Sequence, residues 1–312
     1  RGMALFDLTR IFGYPYLKDN GASLGVPIVK ELSTIDSKPA RNTVAECYTE
    51  IISDLKNSTE LLSGDFNKGK VNRWAAMTLL SRVYLYKGEY NEALTMAENA
   101  IKGAEKEGYA LWTNEEYPTA WGNDASASNP GEILFEIVNL TTDSPGKESM
   151  GYLNSYNGYD DMCITCSFYQ LLKKDPKDVR LKILSFDKKY YAYVNKYQPQ
   201  QGENITDANN PLIRLSEAYL NAAEAAVQTG DNAKAVKYLN SIVQRANPEN
   251  SVEGKTLTLE NVLDERRKEL VAEGHRMYDV IRNGMTVKRI DVKDSDINKT
   301  KHNTAYMEYD WN

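Results

Sequence analysis

Four stretches of this chain carry residue types and spacings that could do chemistry. Gly64 to Lys70 reads G-x-x-x-x-G-K, the outline of a phosphate-binding loop. That motif works only after a strand and with a hydroxyl following the lysine to hold magnesium. Here the next residue is Val71 and the preceding segment has helical periodicity, so the stretch reads as a connection between helices. Cys163-Ile164-Thr165-Cys166 is a C-x-x-C pair, open to a redox, local-disulfide or half-zinc-site reading. No second pair follows, the only other cysteine is Cys47, and His275 and His302 stand far away, which favours an incidental pair. Asp294 and Asp296 make a D-x-D without the glycine and distal glutamate of a calcium loop, and read as solvated tail. The fourth stretch, Glu265 to Arg282, alternates charge around Gly274 and His275. A catalytic reading makes Glu273 or His275 a general base. Ion pairing with neighbouring helices explains the same pattern and is preferred. With two histidines and no G-x-S-x-G or H-E-x-x-H, neither a serine triad nor a zinc protease is indicated. Paired carboxylates for glycoside hydrolysis stay open, because spacing in sequence does not fix their separation in space.

Composition narrows the class. The 312 residues carry 38 Lys+Arg and 44 Asp+Glu, a formal charge of −6, which argues against nucleic acid as a partner. With 41% hydrophobic and 26% charged residues the chain is globular, and no run of about 18 apolar residues suggests a membrane span. Three cysteines exclude a disulfide-dense scaffold. Tyr (21) and Trp (4) together far outnumber Phe (6). Rings with a polar edge suit wet contact surfaces, although tyrosine also fills helix interfaces.

The elements that must position these residues are mostly helices. Leu5, Leu8, Ile11 and Phe12 open the chain at helical spacing. Thr43 with Glu46 three residues on makes a capping box before Val44, Cys47, Tyr48, Ile51, Ile52 and Leu55. A helix from Asn72 ends near Gly88, and a second carries Ala93, Leu94, Ala97 and Ile101. The pattern returns with Leu215 to Gln228, a Thr229-Gly230-Asp231 turn, and Ala233 to Arg245. Aligning Gly88 with Gly230 puts Ala93 on Ala235, Leu94 on Val236, Ala97 on Leu239 and Ile101 on Val243. This is the arrangement of tetratricopeptide hairpins, whose period is about 34 residues. The two hairpins are not tandem, however. Between them lies a loop-rich segment with Trp112, Tyr117, Trp121, a strand over Ile133 to Val138, and Tyr152, Tyr156 and Tyr159 among Asn and Gly. A final long helix is expected from Leu259 to Arg282, stopping at Asn283-Gly284.

Three stretches together resemble the SusD/RagB family of outer-membrane glycan-binding lipoproteins. They are Val71-Asn72-Arg73-Trp74-Ala75-Ala76 through Ala93, Ile213-Arg214-Leu215-Ser216-Glu217 through Ala246, and Glu265-Arg266-Arg267-Lys268-Glu269-Leu270 with Glu273-Gly274-His275-Arg276, Asp279 and Arg282. Gly13-Tyr14-Pro15-Tyr16 and Gly25-Val26-Pro27 add to the likeness. The resemblance implies a mostly α fold, with tetratricopeptide-like hairpins as scaffold and a loop-rich insert containing short strands. As one domain, residues 1–101 and 211–284 would be scaffold, 102–210 the ligand-side insert and 285–312 an irregular C-terminal segment. It implies a non-enzymatic protein without cofactor or metal. The intact protein would be a surface-exposed lipoprotein of the outer membrane, in contact with the membrane only through a lipid anchor outside this chain. It would deliver oligosaccharide or polysaccharide to a SusC-like TonB-dependent transporter. Family members carry a signal and further helices before the position of Arg1 and continue past Asn312, so a partial chain is expected. Alternatives are an interaction scaffold using the hairpin grooves, and capture of non-sugar cargo such as peptides.

The residues themselves support part of this. Sugars offer flat C–H faces and rings of hydroxyls, which call for exposed aromatic platforms flanked by amides. The stretch from Trp112 to Asp161 has that composition. Trp121 and Tyr156 are expected as stacking platforms, followed by Trp112, Tyr152 and Tyr159, with Asn123, Asn154 and Asn157 as hydroxyl partners. Glu265, Arg266, Glu273, Arg276 and Asp279 are assigned to scaffold.

Overall fold

Ten helices, α1 (Gly2–Phe12), α2 (Val44–Leu61), α3 (Arg73–Lys87), α4 (Tyr90–Lys106), α5 (Met150–Leu153), α6 (Cys166–Lys173), α7 (Leu215–Gln228), α8 (Asn232–Ala246), α9 (Leu259–Glu269) and α10 (Arg276–Arg282), dominate the described residues. Four short strands join them: β1 (Ile133–Ile137), β2 (Leu184–Asp187), β3 (Tyr191–Val194) and β4 (Asn210–Arg214). The structure is a computed structural model that describes residues 1–31, 34, 36–67, 69–122, 130–155, 157–159, 162–187, 191–199 and 204–286, without the side chains of Cys166, Asp187 and Tyr191.

The helices stack as successive hairpins. Helix α1 packs on α2, α3 on α4 and α7 on α8, while α2 packs on α3 and α4 on α7. Small residues make the central crossing close: Ala93, Ala97, Ala100 and Ala104 of α4 and Ala218, Ala222, Ala225 and Ala226 of α7 are all fully buried. The turns close on glycines in the left-handed region, Gly88 (φ 82) and Gly230 (φ 79), where a Cβ would be strained. The Thr43–Glu46 capping box forms as expected, and Asn72 caps α3 by accepting from the Ala75 N–H. The G-x-x-x-x-G-K stretch connects α2 to α3. Gly64 and Gly103 leave room for the Trp74 ring, and a Cβ on Gly103 would lie 2.1 Å from it.

The opening helix forms as expected, and one later expectation is corrected. On α1 the buried residues are Gly2, Leu5, Phe6 and Thr9, whereas Leu8, Ile11 and Phe12 are exposed. The helix is apolar on two faces, and of the four residues that mark its spacing only Leu5 lies on the buried one. The expected helix from Leu259 to Arg282 is two helices. Ala272 (φ 64) and Gly274 (φ 76) turn the chain between α9 and α10. The break sends Glu273 back towards Arg214, presents Asp279 to Arg266 of α9 and brings Arg282 onto Glu224 of α7.

The segment between α4 and α7 leaves and returns through one two-stranded sheet, in which β1 pairs antiparallel with β4 from Ile133↔Arg214 to Ile137↔Asn210. Strands β2 and β3 form a hairpin, Leu184↔Val194 to Asp187↔Tyr191. This segment has a core of its own, built on Trp112, Tyr117, Trp121, Ile133, Phe168, Tyr169, Leu172, Ile183 and Val194. None of the described helices is long and apolar enough to cross a membrane.

Candidate ligand-binding surface

The expected aromatic platforms divide into an inner and an outer group. Trp112 and Trp121 are only 5% exposed and lie 4.9 Å apart at a steep angle, both packed edge-on with Tyr117. Their faces are taken by the protein itself. Lys196 and Arg214 sit over the Trp121 ring at 4.8 and 4.9 Å, and Arg245 lies 4.2 Å from the Tyr117 centroid. These rings pack the core of the insert and present no face to solvent.

The outer group lies on the described residues 149–155 and 157–159. Ser149 caps α5 by accepting from the Tyr152 N–H. The chain then doubles back, so that the Tyr159 N–H donates to the Tyr152 carbonyl at 3.1 Å. Gly158 allows this approach, since a Cβ there would fall 1.8 Å from the Tyr152 carbonyl oxygen. The result is a right-angled pair, Tyr152 and Tyr159, with ring centroids 5.1 Å apart and Tyr159 42% exposed. Lys147 lies 5.9 Å from the Tyr152 centroid, and Met162 is exposed beside the turn. Asn157 is exposed on the same turn. Asn154 is buried, and its amide donates to the Met150 carbonyl at 2.9 Å, so that N–H group is already used. Tyr156 and Asn123 lie outside the described residues, as do His302, Asp294 and Asp296. Sequence reading missed Lys147 and Gly158. The Asn157-Gly158 dipeptide is a turn signal that could have located the reversal.

The charged stretch at 265–282 forms two buried ion networks. In the first, Glu265, Glu269 and Glu273 project from α9 and its C-terminal turn. Glu269 meets three arginines from separate elements: Arg245 of α8 (2.5 Å), Arg214 of β4 (3.2 Å) and Arg180 of the insert (3.3 Å). Arg180 also pairs with Asp178 and Glu265, both at 2.6 Å, and Arg214 with Glu132 and Glu273. Burial alone would raise the Glu269 carboxyl, but the three guanidiniums outweigh it and hold the group well below the usual range. Lys196 is fully buried, and burial lowers its ammonium to about 8 even though Glu273 lies at 2.5 Å.

The second network joins the helices. Arg82 grips Glu217 with two hydrogen bonds, of 2.5 and 2.6 Å. Arg266 reaches Asp279 (3.2 Å) and the Asn221 side chain (2.8 Å), and Arg282 bridges Glu224 and Asp279. Burial would raise the Glu217 carboxyl, yet Arg82 holds it at about 2. His275 is buried beside Glu217, Arg82, Arg266 and Asp279, and burial lowers it to about 4. Both former candidates for a general base are thus structural: Glu273 is committed to Arg214 and Lys196, and His275 is enclosed. No cluster of metal-binding side chains occurs among the described residues.

Comparison with known proteins agrees with this architecture. Residues 185–312 match the SusD family, and residues 1–85 match a family described as "Starch-binding associating with outer membrane". A SusD superfamily protein from Bacteroides vulgatus shares 41% identity and a TM-score of 0.86 over 93% of this chain and 66% of its own. Another from Bacteroides thetaiotaomicron shares 40% and 0.85, over 93% and 67%. A SusD-like protein of Bacteroides ovatus is 24% identical over 90% of this chain but only 57% of its own length, so this chain spans little more than half of that relative. With its stacked hairpins, its inserted β1–β4 segment and this similarity along nearly all of its length, the chain belongs to the SusD family.

Proposed function

We propose that this chain binds oligosaccharide or polysaccharide at the cell surface without turning it over, as a component of an outer-membrane uptake system. The single observation that carries the reading is the Tyr152–Tyr159 pair, two rings at a right angle on a short turn that closes on its own backbone. Such a pair offers a C–H-binding face in a fixed orientation, and Asn157 and Lys147 supply polar neighbours. The description of the family matched by residues 1–85 supports starch-like glycans as the first ligand class to test. In this reading residues 1–101 and 211–284 are scaffold, 102–210 is the ligand-side insert and 285–312 is the C-terminal segment. The protein is a surface lipoprotein that hands its cargo to a SusC-like TonB-dependent transporter.

A second reading, a protein-interaction scaffold, draws on the exposed apolar residues Leu8, Ile11 and Phe12 of α1. The two readings separate by experiment. Affinity electrophoresis in gels containing soluble starch, with product analysis alongside, is expected to show retardation without released sugars. Tyr159→Ala is expected to remove that retardation, and Ile11→Glu to leave it intact. Retardation lost only in Ile11→Glu contradicts the proposed site.

A further inference from the structure

The turn after α9 contains a residue in a strained conformation. Ala272 has φ 64, a left-handed conformation that a side chain disfavours and that persists only where its surroundings hold it. Two contacts do so: the Ala272 side chain packs against the core of the insert, and its carbonyl accepts a hydrogen bond from the buried Tyr197 hydroxyl at 2.7 Å. Lys196, the residue before Tyr197, is tied to the same turn through the Glu269 carbonyl (2.6 Å) and the Glu273 carboxylate (2.5 Å). The main chain of Tyr197 in turn forms part of the floor under α5. A Cβ on Gly151 would lie 3.1 Å from the Tyr197 carbonyl oxygen, 2.4 Å from that of Ile205 and 3.0 Å from the Ala208 Cβ. Tyr152 is the next residue.

We propose that Tyr197 is a positioning residue, which clamps α5 to the turn after α9 and thereby fixes the Tyr152 ring for ligand. Helix α5 is only four residues long, too short to hold its place by its own hydrogen bonds. The consequence of the clamp for binding rests on the carbohydrate reading above, whereas the clamp itself does not.

The test uses the 312-residue chain and the Tyr197→Phe variant, which deletes one hydroxyl and keeps the ring. Hydrogen exchange is followed at the Leu153 and Asn154 amides, which bond the carbonyls of Ser149 and Met150. Exchange at these two amides is expected to accelerate roughly fivefold, one hydrogen bond's worth, with α7 and α8 unchanged. Affinity for soluble starch is expected to fall by a similar factor, chiefly through faster dissociation. Gly151→Ala, which lifts α5 directly, is expected to exceed both effects. Exchange at wild-type rates in Tyr197→Phe overturns the clamp. Faster exchange with unchanged starch affinity, while Tyr152→Ala no longer binds, overturns the positioning role and leaves the carbohydrate reading standing. Starch binding by Tyr152→Ala at wild-type strength defeats the carbohydrate site instead, and the exchange rates still decide the clamp.

Discussion

The helical scaffold and the insert solve the same problem with opposite means. The scaffold buries alanines at close helix crossings, adds an Arg82–Glu217 pair between α3 and α7, which already pack together, and ties α10 to α7 through Arg282 and Glu224. The insert has an aromatic core and is tied to the scaffold through Glu265, Glu269 and Glu273, whose partners come from far along the chain. A repeated packing pattern tolerates loss of one contact. A junction in which one carboxylate serves three guanidiniums does not.

The largest expected effect follows from that contrast. Glu269→Gln leaves Arg180, Arg214 and Arg245 short of a buried anion and is expected to cost about 3–5 kcal/mol. Chemical denaturation followed by hydrogen exchange is expected to show the insert losing protection before α3, α4 and α7. Simultaneous loss in both regions breaks the distinction between them. Within the scaffold, Arg82→Met strands the Glu217 carboxylate and is expected to cost about 3 kcal/mol, whereas Arg82→Met with Glu217→Leu recovers most of it. A double variant as unstable as the single one contradicts this ranking.

Acid sharpens the comparison. In the unfolded chain His275 takes up a proton near its ordinary 6.5, but in the folded protein only near 4. Folding stability therefore falls as pH drops from 6.5 towards 4, by up to about 3 kcal/mol. Lys196 works in the other range: the folded group loses its proton near 8 and the unfolded one near 10.5, so its burial penalises the fold less as pH rises through that window. Urea denaturation from pH 4 to 7 is expected to show the acid slope in the wild type and a flatter one in His275→Gln. The smallest effect belongs to packing. Gly103→Ala drives a methyl into Trp74 and is expected to cost about 1–3 kcal/mol, read as a lower Tm without loss of the insert.

How much of this was legible differs along the same line. The hairpins, their turn glycines and the Thr43 cap could be read because local periodicity and capping chemistry decide them. The break between α9 and α10 was hidden because Gly274 reads as a tolerated interior glycine, and its φ of 76 follows from where Glu273 must go. Residue type marked Trp112, Trp121, Tyr152 and Tyr159 alike as platforms. What buries the tryptophan side is long-range: the insert core around Trp112 and Trp121, Lys196 and Arg214 over Trp121, and Arg245 over Tyr117. Composition identifies an aromatic loop, and burial decides which rings remain free to bind.

The central claim, that the outer tyrosines and not the inner tryptophans meet carbohydrate, is tested most directly by calorimetric titration of soluble starch into wild type, Tyr152→Ala and Trp121→Phe. Saturable binding in wild type and Trp121→Phe, with none in Tyr152→Ala, is the predicted result. Binding that survives Tyr152→Ala but disappears in Trp121→Phe contradicts it.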